Sequence, residues 1–95
     1  MKFSYSRLKN LSNIQKHGIS LENARLLDWS LILITEDARK DYGEVRLIGY
    51  APLAKRLYCI VYTERSEVTH IISLRKANAR EVSKYVKTRQ NIKSR

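Results

Sequence analysis

The sequence predicts an α+β domain built on an antiparallel sheet of four strands, and three observations lead to this fold class. Residues 68–75 alternate between an apolar and a more polar series, which is the period of two expected of a strand. Short polar loops separate this segment from the apolar segments before it, as in a meander of neighbouring strands. Segments with helical spacing stand before and after the strands. Residues 1–95 are enough for a single domain with one modest core.

A short strand and a first helix are predicted at the N-terminus. Residues 3–5 form the strand candidate, and Ser6 is a residue type that caps helix N-termini. Gly18 stands where a left-handed residue commonly ends a helix. Between these signals, apolar residues recur at helical spacing and indicate an amphipathic stripe: Leu8, Leu11 and Ile14.

A second N-terminal helix and the four strands are predicted next. Ser20 can cap this helix, and three apolar residues form its predicted inner face: Leu21, Ala24 and Leu27. The apolar run 31–35 is too short for a stable helix, so it is predicted to be a strand covered on both faces. The remaining elements are predicted in this order: a strand over 44–51, a turn over 52–55, a strand over 56–63, a hairpin loop over 64–67 and a strand over 68–75.

The last strand is predicted to lead into a C-terminal helix. Asn78 and Glu81 have the spacing of a capping box, which predicts a helix over 78–90. Val82 and Val86 are expected to pack this helix on the sheet, and residues 91–95 are expected to form a mobile basic tail. Strict alternation predicts that four residues share the apolar face of the last strand: Val68, His70, Ile72 and Leu74.

The strongest compositional signal is positive charge. Nineteen Lys and Arg face nine Asp and Glu, which gives a formal charge of +10. The excess is concentrated in residues 75–95, where eight basic residues face Glu81 alone. Such a field attracts polyanions, so nucleic acid is the leading partner class and an acidic protein is the second. The alternative is a basic surface that is merely solvated.

Several classes of protein and of site are not indicated. No apolar run is long enough to cross a bilayer and no signal peptide is recognised, so a cytoplasmic protein is expected. Cys59 is the single cysteine and is expected to be buried rather than nucleophilic. His17 and His70 have no ligand set at metal spacing, and no glycine-rich phosphate loop is present. Neither a metal nor a cofactor is therefore predicted.

The candidates for catalysis are basic and polar residues at the predicted junctions between secondary-structure elements. Arg65, Arg75 and Lys76 can clamp a phosphate or stabilise charge that builds on it. His17 can transfer a proton, because its ordinary pKa is near neutrality, although it can equally serve as a capping residue at a helix end. For Arg75 the alternative role is to fix the junction of strand and helix by pairing with an acid such as Glu44 or Glu81. For Arg65 the alternative is a solvated residue at the tip of the hairpin.

Three further kinds of residue have both a structural and a functional interpretation. His70 is interpreted as a hydrogen-bonded core histidine. Glu44 can act as a general base, but an ion pair with Arg46 or another arginine is favoured. Tyrosines can stack on bases, although strand tyrosines more often pack in the core: Tyr5, Tyr58, Tyr62 and Tyr85.

Three blocks of the sequence resemble one protein family. The opening block holds Lys9, Asn13, Lys16, His17, Gly18, Ile19, Ser20 and Ala24. The central block is 41–46, with Gly43, Glu44 and Arg46. The closing block holds 62–65, 71–77, Arg80, Glu81 and Tyr85. In this order they resemble the BrnT family of type II toxins over nearly the whole chain. Two positions depart from its pattern: Ser6 replaces the Asp of an aromatic-Asp pair, and His70 replaces an Arg often found before Ile-Ile-Ser.

The resemblance implies a compact RelE-like ribonuclease that cleaves RNA without a metal and blocks translation. It also implies a cognate, BrnA-like antitoxin of ribbon-helix-helix type, encoded beside the toxin. The complex of the two would bind the operator DNA of their own promoter. In such a reaction the ribose 2′-hydroxyl attacks the adjacent phosphorus, so the site needs a base, an acid and fixed positive charge.

The sequence contains candidate residues for the base, for the acid and for the fixed positive charge. Proton transfer is assigned to Lys16 or His17, and positive charge to Arg65, Arg75 and Lys76. Four further residues are expected to contact RNA: Tyr62, Arg80, Lys84 and Tyr85. The alternative function is a non-catalytic nucleic-acid-binding module or co-repressor, which needs the basic surface but no proton-transfer group. A domain that meets only an acidic protein would leave the tyrosines and His17 unexplained.

Overall fold

A computed structural model describes residues 1–93, which form five strands, two α-helices and two short 3-10 helices. The strands are β1 (Lys2–Tyr5), β2 (Leu33–Glu36), β3 (Leu47–Leu53), β4 (Arg56–Arg65) and β5 (Val68–Lys76). The helices are α1 (Arg7–His17), the 3-10 helices Leu21–Leu26 and Trp29–Leu31, and α2 (Ala79–Lys93). The predicted α+β class is confirmed. None of the helices described over residues 1–93 is long and apolar enough to cross a membrane.

The strands form one mixed sheet in the order β1-β5-β4-β3-β2. Strands β2 to β5 pair antiparallel, as predicted for the meander. The short N-terminal strand joins this sheet as an edge strand and pairs parallel with β5. The first face of the sheet carries the core, a cluster of buried residues contributed by the strands and by the first 3-10 helix with its C-cap residue: Leu21, Ala24, Leu27, Ala51, Ile60, Tyr62, Ile71 and Leu74. Helix α2 makes its contacts on the second face.

An irregularity in the pairing of β4 with β5 decides which residues of β5 share a face. Ile71 pairs with Tyr62 and Ser73 pairs with Val61, so Ile72 is an extra residue without its own partner. A bulge of this kind inverts the alternation of side chains beyond it. Ile71 and Leu74 therefore both lie on the first face, whereas His70 and Arg75 both lie on the second. The predicted shared face for His70 and Leu74 is wrong.

The second predicted helix is not an α-helix but the 3-10 helix Leu21–Leu26, capped by the Ser20 side chain as predicted. Its three predicted inner residues are nevertheless buried. The stripe on α1 behaves differently, because it faces solvent with exposed fractions of 78% for Leu8, 54% for Leu11 and 43% for Ile14. The polar Asn13 takes the inward position of α1 and is only 4% exposed.

Asn13 attaches α1 to the edge of β5. Its amide N–H groups donate to the carbonyl oxygens of Leu74 at 2.8 Å and Ile19 at 2.9 Å, and its Oδ1 accepts the Leu74 N–H at 3.1 Å. Strand β1 pairs with β5 only as far as Ile71. One side chain thus satisfies both backbone groups of a residue that lies beyond the end of the neighbouring strand.

The strands differ from the predictions in several places, and β2 covers Leu33–Glu36 rather than residues 31–35. Strand β2 is an edge strand with Ile34, Thr35 and Glu36 exposed, so the expectation that it is covered on both faces is wrong. Strand β3 begins at Leu47, which leaves residues 44–46 in the preceding loop, and it continues to Leu53, so the turn predicted over 52–55 is reduced to Ala54 and Lys55. The β4–β5 turn is reduced to Ser66 and Glu67, whose positive φ values of 47° and 69° are those of a tight two-residue hairpin turn.

The capping box predicted for α2 is confirmed. The Glu81 N–H donates to Asn78 Oδ1 at 2.8 Å, and the Asn78 N–H donates to Glu81 Oε1 at 2.9 Å. The helix continues to Lys93, so residues 91–93 are helical rather than a tail, while residues 94–95 lie outside the described part of the chain. Val82 is partly buried, but Val86 is exposed and does not pack on the sheet as expected.

Candidate functional site

The second face of the sheet carries an arginine and a glutamate at the junction of β5 and α2. Arg75 Nη1 and Nη2 donate to the two carboxylate oxygens of Glu81 at 2.8 and 2.9 Å, which is a two-pronged ion pair. The Tyr50 hydroxyl donates to Glu81 Oε2 at 2.8 Å. The capping box explains this arrangement, because it turns the Glu81 carboxylate back toward the end of the strand. The alternative role considered for Arg75, pairing with Glu81, is thus observed.

This pairing shifts the pKa values of the groups involved. The hydrogen bonds from Arg75, aided by the Asn78 N–H and Tyr50, lower the pKa of Glu81 from 4.5 to about 2. The same ion pair raises the pKa of Arg75, and burial raises the pKa of Tyr50. Glu81 is therefore a carboxylate at all but strongly acidic pH, and it links α2 to the sheet.

We expect the stability of the protein to fall in acid, partly because Glu81 loses this pairing. A carboxyl group with a lowered folded-state pKa stabilises the folded state above its unfolded-state pKa. That stability is lost as the pH falls from about 4.5 toward about 2. Glu81→Gln should cost about 1–3 kcal/mol at pH 7 and should reduce the loss between pH 5 and 3. Urea denaturation at several pH values measures this, with the exposed Glu36→Gln as control. Equal acid dependence in Glu81→Gln and wild type would contradict the prediction.

Cations surround this corner on the solvent side. Lys76, Arg80 and Lys84 are exposed, at the end of β5 and on the first turns of α2. A shallow depression on α2 is lined by Arg80, Ser83, Lys84, Lys87 and Thr88 and contains no acidic side chain. A row of exposed cations with this spacing suits the contacts that a nucleic-acid backbone requires.

A cleft of about 380 Å³ separates α2 from β2 and β3. Its lining is largely apolar and includes Leu33, Ile34, Ile48, Tyr50, Lys84 and Tyr85. The Tyr85 hydroxyl donates to the Leu31 carbonyl at 2.7 Å, which fixes the ring at the cleft wall. An aromatic ring beside a cation is an arrangement that can hold a nucleic-acid base.

A second ionic cluster lies on the same face, toward the start of β5. Arg65 Nη2 donates to Glu44 Oε1 at 2.6 Å, and Arg65 Nε donates to Glu44 Oε2 at 3.2 Å. This pair is more open to solvent, with side-chain exposures of 54% for Arg65 and 30% for Glu44. The hydrogen bonds from Arg65 lower the pKa of Glu44 and raise that of Arg65. Glu44 thus pairs with an arginine, as favoured in the sequence analysis.

His70 belongs to this second cluster. Its strand neighbours are Ser4 on β1 and Thr63 on β4, and its Nδ1 is 2.8 Å from the Ser4 Oγ. Arg65 is paired with Val68, two residues from His70, so both side chains project from the second face. Burial, followed by the positive charge of Arg65, lowers the pKa of His70, and the charge of Glu44 partly opposes this.

The loop 37–46, which precedes β3, positions Glu44 and Arg46 in the second ionic cluster. Buried Asp37 accepts from Arg39 Nε and Nη2 at 2.7 Å each and from the Tyr42 hydroxyl at 3.1 Å, and its N–H donates to the Arg46 carbonyl. The Arg46 guanidinium lies 3.9 Å from the centre of the Tyr42 ring. Arg46 Nε is buried and has no hydrogen-bond partner within residues 1–93. Asp37 therefore fixes the loop that carries Glu44 and Arg46 to the sheet.

The candidate residues from the sequence are only partly brought together. Lys16 and His17 are exposed at the C-terminal end of α1, whereas Arg65 and Arg75 lie on β4 and β5 and pair with Glu44 and Glu81. Tyr62 is 2% exposed and packs edge-on against Trp29 with ring centres 5.4 Å apart, so its ring is part of the core and offers no surface to RNA.

Sequence reasoning missed the clustering of His70 with Glu44, Arg46 and Arg65. Strict alternation assigned His70 to the apolar face, because the bulge at Ile72 leaves no clear sign in the sequence. One available signal was that Glu44, Arg46 and Arg65 lie in blocks that resemble one family, and that His70 directly precedes the block 71–77 at a position where the family often has Arg. No three His, Cys, Asp or Glu side chains of the part of the chain that the structure describes come together as a metal-binding group.

Comparison with known proteins gives a family for the chain. No curated protein matches the sequence. A family described as "Ribonuclease toxin, BrnT, of type II toxin-antitoxin system" matches residues 5–81, most of the 95-residue chain. The match spans Glu44, Arg65, His70, Arg75 and Glu81, and thus both ionic clusters of the second face. The chain therefore belongs to the BrnT family of ribonuclease toxins of type II toxin–antitoxin systems.

Proposed function

We propose that this chain is an endoribonuclease that cleaves RNA without a metal ion and thereby inhibits translation. The observation that carries the proposal is the two-pronged grip of Arg65 on Glu44 at a partly exposed position on the sheet. A guanidinium held in this geometry matches the paired oxygens of a phosphate as well as those of a carboxylate. Membership of a ribonuclease toxin family supports the same activity.

In the proposed reaction the ribose 2′-oxygen attacks the neighbouring phosphorus and the 5′-oxygen leaves. Negative charge develops on the phosphate oxygens, and a fixed cation stabilises it more in the transition state than in the ground state. Arg65 is assigned this role, because its fork is already ordered and partly exposed. The roles in proton transfer that the sequence suggested for Lys16 and His17 stay predictions.

The remaining cations are proposed to hold the RNA chain. Arg75 lies seven residues along β5 from Val68, the partner of Arg65, which corresponds to roughly 20 Å along the sheet. One phosphate cannot reach both arginines, so the face would bind a segment of several nucleotides. Arg75, Arg80 and Lys84 would contact its backbone, and Tyr85 would stack on a base in the cleft. Lys76 is paired with Tyr58, which packs against the core, so Lys76 projects from the first face at the end of β5.

We also propose the regulatory arrangement that accompanies such a toxin. A cognate antitoxin of ribbon-helix-helix type would neutralise the protein by covering the basic corner at 75–80 and part of α2. The pair would bind operator DNA and repress its own operon, in the cytoplasm. The mixed sheet with flanking helices is compatible with a RelE-like fold. Family membership and the exposed cations of α2 support this proposal.

The second candidate function is a non-catalytic nucleic-acid-binding module or co-repressor. One observation favours it: Arg65 and Arg75 are both already paired with carboxylates, as purely structural arginines are. For cleavage, a phosphate must take the place of Glu44. The binding function needs no such exchange, because the exposed lysines and arginines of α2 are sufficient for it.

We expect the purified protein to cleave a mixed-sequence RNA in the presence of EDTA, because its own residues supply the charge. The products should carry 2′,3′-cyclic phosphate and 5′-hydroxyl ends, since the 2′-oxygen is the nucleophile. The matched control is the same oligonucleotide with 2′-deoxyribose at the cleaved position, which should bind with similar affinity and stay intact. Cleavage that EDTA abolishes and Mg²⁺ restores would contradict the metal-free reaction. Tight binding of RNA without any cleavage would favour the binding module.

A further inference from the structure

We infer that His70 is the general base of the proposed cleavage and that Ser4 is its positioning residue. This inference rests on the proposed function and adds the proton acceptor to it. It starts from the position of the His70 ring, which lies on the second face between β1 and β4. The ring is partly buried, and it is anchored through Nδ1 to the Ser4 Oγ at 2.8 Å.

The anchor occupies Nδ1 and leaves Nε2 as the ring nitrogen available for chemistry. The inference assigns to His70 the tautomer whose Nδ1–H donates to Ser4 Oγ, in which the lone pair of the imidazole is on Nε2. Nε2 points away from the anchored edge of the ring and can accept a proton from a hydroxyl group. A neutral imidazole is needed for this role, and partial burial together with the charge of Arg65 favours the neutral form.

The charged neighbours complete the site. Arg65 on β4 and Glu44 in the loop before β3 are the charged groups whose fields act on His70, whereas β1 contributes the neutral Ser4. A phosphate bound by Arg65 would lie beside His70, because both side chains project from the same face two strand positions apart. The ribose attached to that phosphate would then carry its 2′-hydroxyl toward the imidazole.

The proton and electron movements balance without any further reactant except water. The 2′-hydroxyl proton passes to His70 Nε2 as the 2′-oxygen forms its bond to phosphorus. The bond from phosphorus to the 5′-oxygen breaks, and the leaving 5′-oxygen takes a proton from solvent water. When Arg65 turns from Glu44 to the phosphate, the released Glu44 carboxylate can stabilise the new imidazolium. His70 afterwards returns its proton to solvent, and the ion pair of Arg65 with Glu44 can form again.

The test is the pH dependence of kcat/KM and of kcat for antitoxin-free protein on a mixed-sequence RNA in EDTA. In wild type the rate should fall on the acid side with a midpoint below 6.5, because His70 must be neutral and its pKa is lowered. His70→Gln and His70→Ala should lose about 10²–10⁴-fold in kcat together with this acid limb, with KM changed little. Added imidazole should restore part of the activity of His70→Ala, which lost packing alone would not explain.

Two further variants test whether His70 acts as a base rather than as a charge, and whether Ser4 orients its ring. His70→Arg introduces a permanent cation at this position and cannot accept the proton at neutral pH, so it should be as inactive as His70→Gln. Ser4→Ala should keep the acid limb and lower kcat by about tenfold, since the ring loses its orientation but not its basicity. A fully active His70→Arg would show that position 70 contributes only charge, and it would overturn the inference.

The outcomes also distinguish this inference from the proposed function. Wild-type protein that cleaves no RNA would remove the proposed function and the inference together. Wild-type protein that cleaves, with His70 variants of unchanged rate and pH profile, would overturn the inference alone. An acid limb that disappears in His17→Ala and persists in His70→Gln would also overturn the inference alone. Circular dichroism checks the fold of each variant. If the variants do not fold, NMR titration of wild-type His70 replaces them, and a pKa above 6.5 would overturn the inference.

Discussion

Arg65→Lys should lower kcat for RNA cleavage by about 100- to 1000-fold while the protein stays folded. This is the usual loss when one preorganised donor to a developing charge is removed. Lys keeps the positive charge, so much of the RNA affinity should remain, but a single ammonium cannot reproduce the two parallel donors of the guanidinium. Arg65 is suited to the experiment because its side chain is 54% exposed, and its replacement should disturb the core little. Single-turnover cleavage in EDTA measures the effect, with circular dichroism as the check on folding.

Arg75→Lys is the matched comparison, because Arg75 makes the same kind of two-pronged pair with Glu81. Along β5, Arg75 is roughly 20 Å from Val68, the strand partner of Arg65. If it only holds RNA and α2, its replacement should raise KM and weaken the attachment of α2, with kcat within about tenfold of wild type. Full activity of folded Arg65→Lys would remove Arg65 from the reaction. A greater loss of kcat in Arg75→Lys than in Arg65→Lys would place the reaction centre at the junction of β5 and α2.

The features that could be predicted from the sequence depend on neighbouring residues. The capping box of Asn78 and Glu81, the N-cap at Ser6 and the left-handed Gly18 all occur as predicted, since each is a local contact within one or two turns. The antiparallel strands were also recognised from alternation and intervening polar loops. These signals were sufficient for the fold class and for the position of Arg75 near the end of the last strand, shortly before the C-terminal helix.

The candidate site could not be predicted to the same extent, because it depends on register. One extra residue at Ile72 reverses the side-chain direction along β5, and this moves His70 from the expected apolar face to the face of Arg65. The contribution of the loop 37–46 was hidden for a similar reason. The shape of this loop follows from the hydrogen bonds that the buried Asp37 accepts from Arg39 and Tyr42. The periodicity of the sequence does not predict such hydrogen bonds. The favoured pairing of Glu44 with an arginine was correct, but its neighbours were not foreseen.

Helix α1 shows why an apolar stripe need not mark the buried side of a helix. Its stripe of Leu8, Leu11 and Ile14 is exposed, and the inward side is held by a polar residue. A pattern rule scores apolar spacing alone, whereas the actual attachment satisfies unpaired backbone groups at the edge of a sheet. Sequence spacing cannot show that Leu74, which is 61 residues from Asn13, presents both an N–H and a carbonyl there.

Asn13→Ala should therefore be among the most destabilising substitutions in this protein, at about 3–5 kcal/mol. It removes three hydrogen bonds, and the partners left behind are backbone groups, two of them on buried Leu74. Each buried polar group left without a partner costs about 1–3 kcal/mol, so the sum exceeds the loss of an ordinary surface contact. Asn13→Asp should also be strongly destabilising, since it keeps an acceptor for the Leu74 N–H but loses both donors and introduces a buried charge.

Urea denaturation at pH 7 measures this cost as a shift of the midpoint with an unchanged m-value. Gln15→Ala is the control on the same helix, because Gln15 is exposed and its replacement should change stability by no more than about 0.5 kcal/mol. A loss below about 1 kcal/mol in Asn13→Ala would mean that water satisfies the Leu74 groups when the amide is gone. Helix α1 would then be attached mainly by its connections to β1 and to the 3-10 helix that follows it.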